Sequence, residues 1–373
     1  MEREKYLKSI KRIVVKVGTS TITHETGLIN YEMMNKIVEQ ISNLMNRGYE
    51  VILVSSGAVG AGLGILKDMK RPMSIPEKQA AASVGQVTLI HLYQKMFLEY
   101  SQNISQILLT KSDIEDRERY LNIRNVFFEL LKRKVIPIIN ENDTVVTDEI
   151  KVGDNDTLSA LVANLIDADL LILLSDIDGL YDSNPNEDKN ANMIRKVNDV
   201  NDVMSYAKDS SSSQGTGGMI TKLNAGKIAN SYGSHMIIAN GRTKSVLNRI
   251  MDNEEIGTLF VKNKNLVSAR RQWIGFNSKV AGTLIIDDGA KKAILNNKSL
   301  LPIGIKKIDG IFKRGETVSI VDENNNEIAR GLSNFDSESL LKIIGLNSNK
   351  IIDILGYKDS DDVVHINNMM IKE

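Results

Sequence analysis

The sequence predicts an α/β protein: an αβα sandwich with a mainly parallel central sheet, followed by a smaller β-rich domain. Six short apolar runs, each typical of a strand buried on both faces, lie at 13–17, 51–54, 104–109, 135–139, 170–174 and 235–238. Amphipathic stretches of helical period separate them. This alternation indicates a sheet covered by helices on both faces, and such sheets bind ligands beyond the carboxyl ends of their strands.

The pattern changes after Gly257. Residues 262–271 are polar and basic, and beyond residue 279 short β-like runs alternate with glycine turns around one helical stretch at 288–296. Short strands separated by glycine turns are typical of a compact β-barrel. We therefore predict a first domain at 1–261, a linker at 262–276 and a β-barrel-like second domain at 277–373.

Composition excludes several classes of protein. The 373 residues suffice for two or three domains, and 47 basic residues balance 47 acidic ones, so no overall charge attracts nucleic acid. With no cysteine, the chain has no disulfide, zinc ribbon or thiol nucleophile, and its four histidines are scattered along the sequence, which gives no metal site.

The first ten residues lack an apolar segment, and no stretch approaches the ~18 apolar residues of a membrane span. We expect a cytoplasmic protein.

Two of the predicted strands run into segments suited to bind an anion. The first ends in KVGTS (Lys16 to Ser20), which places an ammonium group beside small residues and hydroxyl donors. The second ends in SSGAVGAGLG (55–64), a glycine-rich turn that should open a helix with outward-facing N–H groups. This turn matches neither the Rossmann nor the P-loop motif. Taken singly, a solvated lysine and a tight turn would explain the two segments equally well.

Carboxylates and carboxamides gather after the fourth predicted strand. NENDT (140–144) follows the strand, and KVGDNDT (151–157) precedes a helical stretch. One Asp or Asn can cap that helix, but capping does not account for the whole set. The remainder fits recognition of the ammonium group of an amino-acid substrate.

Two later segments complete the pattern. LSDIDGLY (174–181) again places polar groups at the carboxyl end of a strand, where a nucleotide could lie. GTGGMITK (215–222) opens a predicted helix with glycines and a lysine, a combination that favours polyphosphate. A flexible loop before a helix would explain the second segment alone. The order of five such segments is a much stronger signal than any one of them.

On these motifs the chain resembles the amino-acid kinase family over nearly its whole length, and within it the glutamate 5-kinases. The related acetylglutamate, aspartate and uridylate kinases typically carry paired glycines after the first lysine, whereas this chain has Val17-Gly18-Thr19. The C-terminal segment resembles a PUA domain. Ile220 departs mildly from the family, since a small residue is expected there.

The resemblance implies an enzyme that transfers the γ-phosphoryl group of ATP to the side-chain carboxylate of L-glutamate, the first step of proline biosynthesis. Magnesium would be bound through the nucleotide phosphates. The implied catalytic residues are Lys16, Lys222 and Asp156, with Asp156 positioning the two lysines. The implied substrate residues are Ser56, Asp143 and Asn155. The implied nucleotide residues are Lys16, Ser175, Asp176, Thr216, Gly217, Gly218, Met219, Ile220, Thr221 and Lys222.

The resemblance further implies a homo-oligomer and feedback inhibition by proline. Two alternatives stay open at this point. One is a kinase for another acidic small molecule, such as aspartate, acetylglutamate or carbamate. The other is an RNA-binding module centred on the C-terminal domain, where lysine pairs at 291–292 and 306–307 and the basic pair 313–314 lie, offset by the acidic run 359–362.

Overall fold

The computed structural model describes residues 3–24, 28–66, 73–145, 154–185, 187–188, 190–207, 218–263, 280–357 and 360–372. The chain forms two compact units, Met1–Lys264 and Asn265–Glu373. The predicted linker at 262–276 lies outside the described residues except for 262 and 263.

The first unit is built on an eight-stranded sheet, counted over the described residues. Its strand order is β3-β4-β2-β1-β5-β9-β10-β8, and neighbouring strands are parallel except β9 and β10. Strands β6 and β7 form a separate antiparallel pair. The strands are β1 (Arg12–Val17), β2 (Glu50–Ser55), β3 (Ile104–Leu109), β4 (Ile136–Glu141), β5 (Leu170–Ser175), β6 (Leu180–Tyr181), β7 (Met193–Ile194), β8 (Lys196–Val197), β9 (His235–Asn240) and β10 (Thr258–Phe260).

Helices cover both faces of this sheet. They are α1 (Glu4–Leu7), α2 (Thr19–Ile22), α3 (Tyr31–Asn46), α4 (Ala58–Ile65), α5 (Ile75–Glu99), α6 (Lys111–Glu115), α7 (Arg117–Lys132), α8 (Asn155–Leu165), α9 (Met219–Ser231) and α10 (Val246–Met251), with a 3₁₀ helix at Val200–Ala207. The predicted αβα sandwich with a mainly parallel sheet is confirmed.

The pleat of strand β1 decides which layer each of its side chains enters. Val15 and Val17 pack in the core formed with α3, α5 and α10, whereas Val14 packs in the core formed with α7, α8 and α9. Since side chains alternate along a strand, Lys16 shares the face of Val14. Its ammonium group is therefore directed toward the layer that contains α8 and α9.

Helices α4 and α5 cross in contact at two glycines. A Cβ on Gly62 would lie 1.8 Å from the carbonyl oxygen of Ala81, and one on Gly85 would lie 1.8 Å from that of Ala58. The backbones can approach this closely only because neither residue has a side chain. The crossing holds the start of α4 at the end of β2 and brings Gln86, the next residue of α5, to the same edge of the sheet.

The second unit contains a five-stranded sheet in the order β12-β11-β13-β14-β15, in which only β11 and β13 run parallel among the described strands. The predicted helix at 288–296 and the predicted strands at 318–321 and 327–331 are present. The elements are β11 (Val280–Ile286), α11 (Asp288–Leu295), β12 (Ile305–Asp309), β13 (Thr317–Val321), β14 (Glu327–Leu332), α12 (Ser337–Ile343), α13 (Ile351–Leu355) and β15 (Met369–Ile371), with 3₁₀ helices at Pro302–Gly304, Ser348–Lys350 and Ile366–Asn368.

The second unit has its own core, which includes Leu284, Ile320, Phe335 and Val364. Across the described ranges of both units, no helix is at once long enough and apolar enough to cross a membrane.

Candidate active site

The predicted polar segments meet at one edge of the first unit's sheet. Strands β4, β2, β1 and β5 are neighbours in that order and run parallel, so their carboxyl ends lie side by side. The motifs that follow these four strands are far apart in sequence and adjacent in space. This edge is where ligands of parallel α/β sheets bind.

The turn between β2 and α4 depends on Gly57. Its φ of 102° lies in the left-handed region that favours glycine, and the residue precedes the first turn of α4. The N–H group of Ser56 donates to the carbonyl oxygen of Val17, 3.2 Å away, which ties this turn to the end of β1. The start of α4 is thus held beside the KVGTS segment.

Lys16, Asp156 and Lys222 form a buried charge cluster. Lys16 Nζ lies 2.5 Å from Asp156 Oδ1, and Lys222 Nζ lies 3.1 Å from Asp156 Oδ2. The three residues are 7%, 1% and 4% exposed. Burying charges is costly unless they are paired, so the carboxylate and the two ammonium groups fix one another's positions. The sequence-predicted catalytic residues are therefore brought together, each from a different element.

Electrostatics keep the carboxyl group of Asp156 ionised. Burial alone would raise its pKa, but Lys16 and Lys222 outweigh burial and lower the pKa below its ordinary value. Next to it, Asp154 caps α8 by accepting a hydrogen bond from the N–H of Thr157 at 2.8 Å. Burial raises the pKa of Asp154, and the nearby Asp156 adds to that increase.

A second cluster surrounds the side chain of Asn155. Its Nδ2 lies 2.8 Å from Ser56 Oγ, 3.1 Å from Asn140 Oδ1 and 3.2 Å from the carbonyl oxygen of Ser55. The predicted substrate residues Ser56 and Asn155 are therefore in direct contact. Asp143, the third, is half-buried two residues beyond the end of β4.

The first turn of α8 divides the site into two halves. Asn155 and Asp156 are consecutive, yet Asn155 contacts the ends of β2 and β4 whereas Asp156 contacts β1 and α9. Successive side chains of a helix point about 100° apart, which allows one turn to serve both clusters. We call the Asn155 cluster the amide half and the Asp156 cluster the lysine half.

The predicted nucleotide residues are only partly within the described chain. Ser175 is buried at the end of β5 and donates to Asp176 Oδ1 at 3.0 Å.

Thr221 Oγ1 lies 3.2 Å from Asp156 Oδ2, so the first turn of α9 belongs to the lysine half. Gly218 and Met219 begin that helix, and Ile220 is exposed. Thr216 and Gly217 lie outside the described residues.

Residues that support the amide half were not among the predicted site residues. Asn140, at the end of β4, donates through Nδ2 to Gln86 Oε1 at 2.9 Å. Tyr93 OH lies 2.9 Å from Ser55 Oγ, and complete burial raises the pKa of Tyr93 to about 12. The position of Asn140 after a buried strand was a usable signal. Gln86 and Tyr93 lie inside a long helix, where nothing in the sequence marks them.

In the described part of the chain, no group of three or more His, Asp or Glu side chains could hold a metal ion.

The family of the chain is shown by comparison with known proteins. The family model described as "Amino acid kinase family" matches residues 11–240, and the model of the PUA domain matches residues 282–355. A glutamate 5-kinase of Thermoanaerobacter sp. strain X514 is 52% identical over 97% of this chain and 98% of its own length. The chain belongs to the amino acid kinase family, among its glutamate 5-kinases.

The similarity extends to a more distant relative and to a solved structure. The glutamate 5-kinase of Syntrophotalea carbinolica is 44% identical over the full length of both chains. The crystal structure of the UMP kinase from Bacillus anthracis matches with a TM-score of 0.51 at 18% identity, covering 68% of this chain and 97% of the other. At that identity the likeness concerns the amino acid kinase fold alone.

Proposed function

We propose that this chain transfers the γ-phosphoryl group of ATP to the side-chain carboxylate of L-glutamate, giving L-glutamyl 5-phosphate and ADP, the first step of proline biosynthesis. Relatives that match 97% of the chain carry the name glutamate 5-kinase. The structural observation that supports the proposal most is the division of the site by the first turn of α8. One half offers amide and hydroxyl groups to an amino acid, and the other offers ammonium groups to phosphate.

The acceptor needs no general base in this reaction. The side-chain carboxyl of glutamate has a pKa of about 4.3, so it is ionised at neutral pH. A carboxylate oxygen attacks the γ-phosphorus, the bond from phosphorus to the bridging β,γ-oxygen breaks, and ADP leaves with the electron pair. No proton is transferred, which suits a lysine half built from two buried lysines and a buried aspartate.

Catalysis then depends on placing two anions in line and stabilising the charge of the transferring group. We assign this task to the ammonium groups of Lys16 and Lys222. Asp156 is the positioning residue, because each of its oxygens contacts one of the lysines. Ammonium groups that are already oriented need no reorganisation when negative charge develops on the phosphoryl oxygens.

We assign the nucleotide to the end of β5 and the start of α9. Ser175 and Asp176 would contact its ribose or base, and the segment from Thr216 to Lys222 its phosphates. Magnesium, held by the phosphates, would neutralise part of their charge. The first turn of α9 belongs to the lysine half, since Thr221 and Lys222 both contact Asp156, and a helix N-terminus favours an anion.

The amide half is assigned to L-glutamate. Ser56 and Asn155 would bind the amino-acid end of the substrate together with Asp143, whose carboxylate suits an ammonium group. Holding the α-carbon groups there would direct the side-chain carboxylate toward the lysine half.

An acceptor panel tests the function. Purified protein with magnesium and ATP is given L-glutamate, L-aspartate, N-acetyl-L-glutamate or no acceptor, and ADP release is measured. ADP release that requires glutamate supports the proposal. A strong preference for another acceptor would keep the phosphotransferase and replace the substrate, and equal release without any acceptor would contradict both.

The remaining assignments follow from the family resemblance and the sequence. We assign catalysis to a kinase domain at 1–261, and we assign the segment 277–373 to a PUA-like domain. We expect the protein to be cytoplasmic, to form a homo-oligomer and to be inhibited by proline. RNA binding by the second unit has little support from its charges. Of the basic side chains named above, Lys291 pairs with Asp322 and Lys306 with Glu323.

A further inference from the structure

The orientation of the side-chain amides in the amide half is fixed by two backbone groups. The N–H of Glu141 donates to Asn140 Oδ1 at 2.9 Å, and a backbone N–H can only donate. The carbonyl oxygen of Ser55 lies 3.2 Å from Asn155 Nδ2, and a carbonyl can only accept. The oxygen of Asn140 and the nitrogen of Asn155 are therefore identified without ambiguity.

These two fixed points set the direction of the remaining hydrogen bonds. Since Asn140 Oδ1 accepts, its Nδ2 must donate, and the atom that it meets at 2.9 Å is Gln86 Oε1. Since Asn155 Nδ2 donates, Ser56 Oγ at 2.8 Å must accept. A continuous chain of directed hydrogen bonds thus links Gln86, Asn140, Asn155 and Ser56.

The chain leaves two groups of defined polarity for a ligand. Ser56 Oγ accepts from Asn155, and its own proton is donated to none of the described residues. All three contacts of the Asn155 amide are made by Nδ2, and Asn155 Oδ1 accepts a hydrogen bond from none of the described residues. The serine offers a donor, which suits a carboxylate, and the asparagine offers an acceptor, which suits an ammonium group.

We propose that Gln86 is a positioning residue for the acceptor amino acid: its Oε1 holds the amide of Asn140, and through it the amide of Asn155, in the orientation that offers a hydroxyl donor and an amide acceptor to the substrate. The inference rests on the proposed function. Gln86 acts from α5, one residue after the glycine crossing with α4. Asn140 is 3% exposed, so its Nδ2 has no solvent to replace a lost partner.

Three variants separate positioning from other roles. Gln86→Met keeps the length of the side chain and removes the acceptor, so we expect the KM for glutamate to rise about tenfold while the KM for ATP stays within about twofold. Gln86→Glu keeps an acceptor for Asn140 Nδ2, so the KM for glutamate should stay near the wild-type value. The matched control is Gln94→Met, on an exposed position of the same helix, which should change neither constant.

Glutamate-dependent turnover of the wild-type protein is measured first, so failure of the proposed function is seen before any variant is compared. An unchanged KM for glutamate in Gln86→Met would overturn the proposal. So would an increase in Gln86→Glu as large as that in Gln86→Met, since Gln86 would then contact the substrate itself. Equal increases in both KM values would indicate a general loss of structure and would also overturn it.

Discussion

Asn155 and Asp156 are neighbours in the first turn of α8, and their side chains join two different polar clusters, one around Ser56 and one around the two lysines. This single turn couples the amino-acid half of the site to the phosphoryl half. A shift of α8 would therefore disturb both halves at once.

The charge of Asp156 is required by both lysines. Asp156→Asn keeps the shape of the side chain but leaves two buried ammonium groups without their shared carboxylate. We expect kcat to fall by about 10²–10³ and the free energy of unfolding to fall by about 3–5 kcal/mol. Steady-state kinetics and urea denaturation measure the two effects.

The control for stability is Asp154→Asn, since asparagine caps a helix about as well as aspartate. It should change the free energy of unfolding little. Loss of stability in Asp154→Asn equal to that in Asp156→Asn would contradict this account, because it would show that the loss does not depend on the two lysine contacts of Asp156.

Lys222 and Lys227 lie on the same helix and differ in what they contact. Lys222 is buried against Asp156, whereas Lys227 is exposed. Lys222→Met should lower kcat by about 10²–10³, because an oriented charge at the transferring phosphoryl group is lost. Lys227→Met should leave kcat unchanged. Wild-type turnover in Lys222→Met would exclude the assigned role.

The α4–α5 crossing should tolerate no side chain at Gly62. A Cβ there would meet the backbone of Ala81, so Gly62→Ala should lower the free energy of unfolding by about 1–3 kcal/mol or more. At Gly64, two residues along the same helix, a Cβ would meet only the end of the exposed Leu28 side chain at 3.1 Å. Gly64→Ala should therefore be neutral or stabilising by up to about 1 kcal/mol. Thermal and chemical unfolding of both variants tests the difference in sign.

Buried His235 should make the protein less stable in mild acid. Burial lowers its pKa to about 4, and Lys262 adds to the effect. Between that value and about 6.5 the unfolded chain binds the proton and the folded chain does not, so stability is full above pH 6.5 and falls as the pH decreases toward 4. The loss attributable to His235 is about 2 kcal/mol at pH 5.

His235→Asn tests this dependence, because asparagine can still accept from the N–H of Lys262, which lies 3.2 Å from His235 Nδ1. The difference in unfolding free energy between pH 7 and pH 5 should shrink by about 2 kcal/mol in the variant. An unchanged difference would mean that His235 does not titrate as its burial implies.

Local signals in the sequence were sufficient to locate the main strands of the first unit's sheet and several polar segments of the candidate site. Apolar runs located the main strands, and strand ends located Lys16, Ser56 and the polar segments after β4. Such signals do not predict the direction of individual hydrogen bonds. Gln86 reaches the site only because α5 crosses α4 at Gly62 and Gly85. The spacing of these two glycines in the sequence does not predict that the helices cross there.

The lysine half shows the same limit. That Lys16 faces α8 follows from the alternation of side chains along β1, but the approach of Lys222 to the other oxygen of Asp156 depends on how α9 packs against α8. Tertiary packing of this kind is set by the whole core, which includes Leu158 and Leu223.

The most direct test of the central claim identifies the product. The protein is incubated with magnesium, ATP and L-glutamate in the presence of hydroxylamine, which converts an acyl phosphate to a hydroxamate. We expect glutamate-dependent formation of the hydroxamate of the side-chain carboxyl, in amounts equal to ADP, and its loss in Lys222→Met but not in Lys227→Met. ADP formation without any hydroxamate would contradict phosphoryl transfer to the carboxylate.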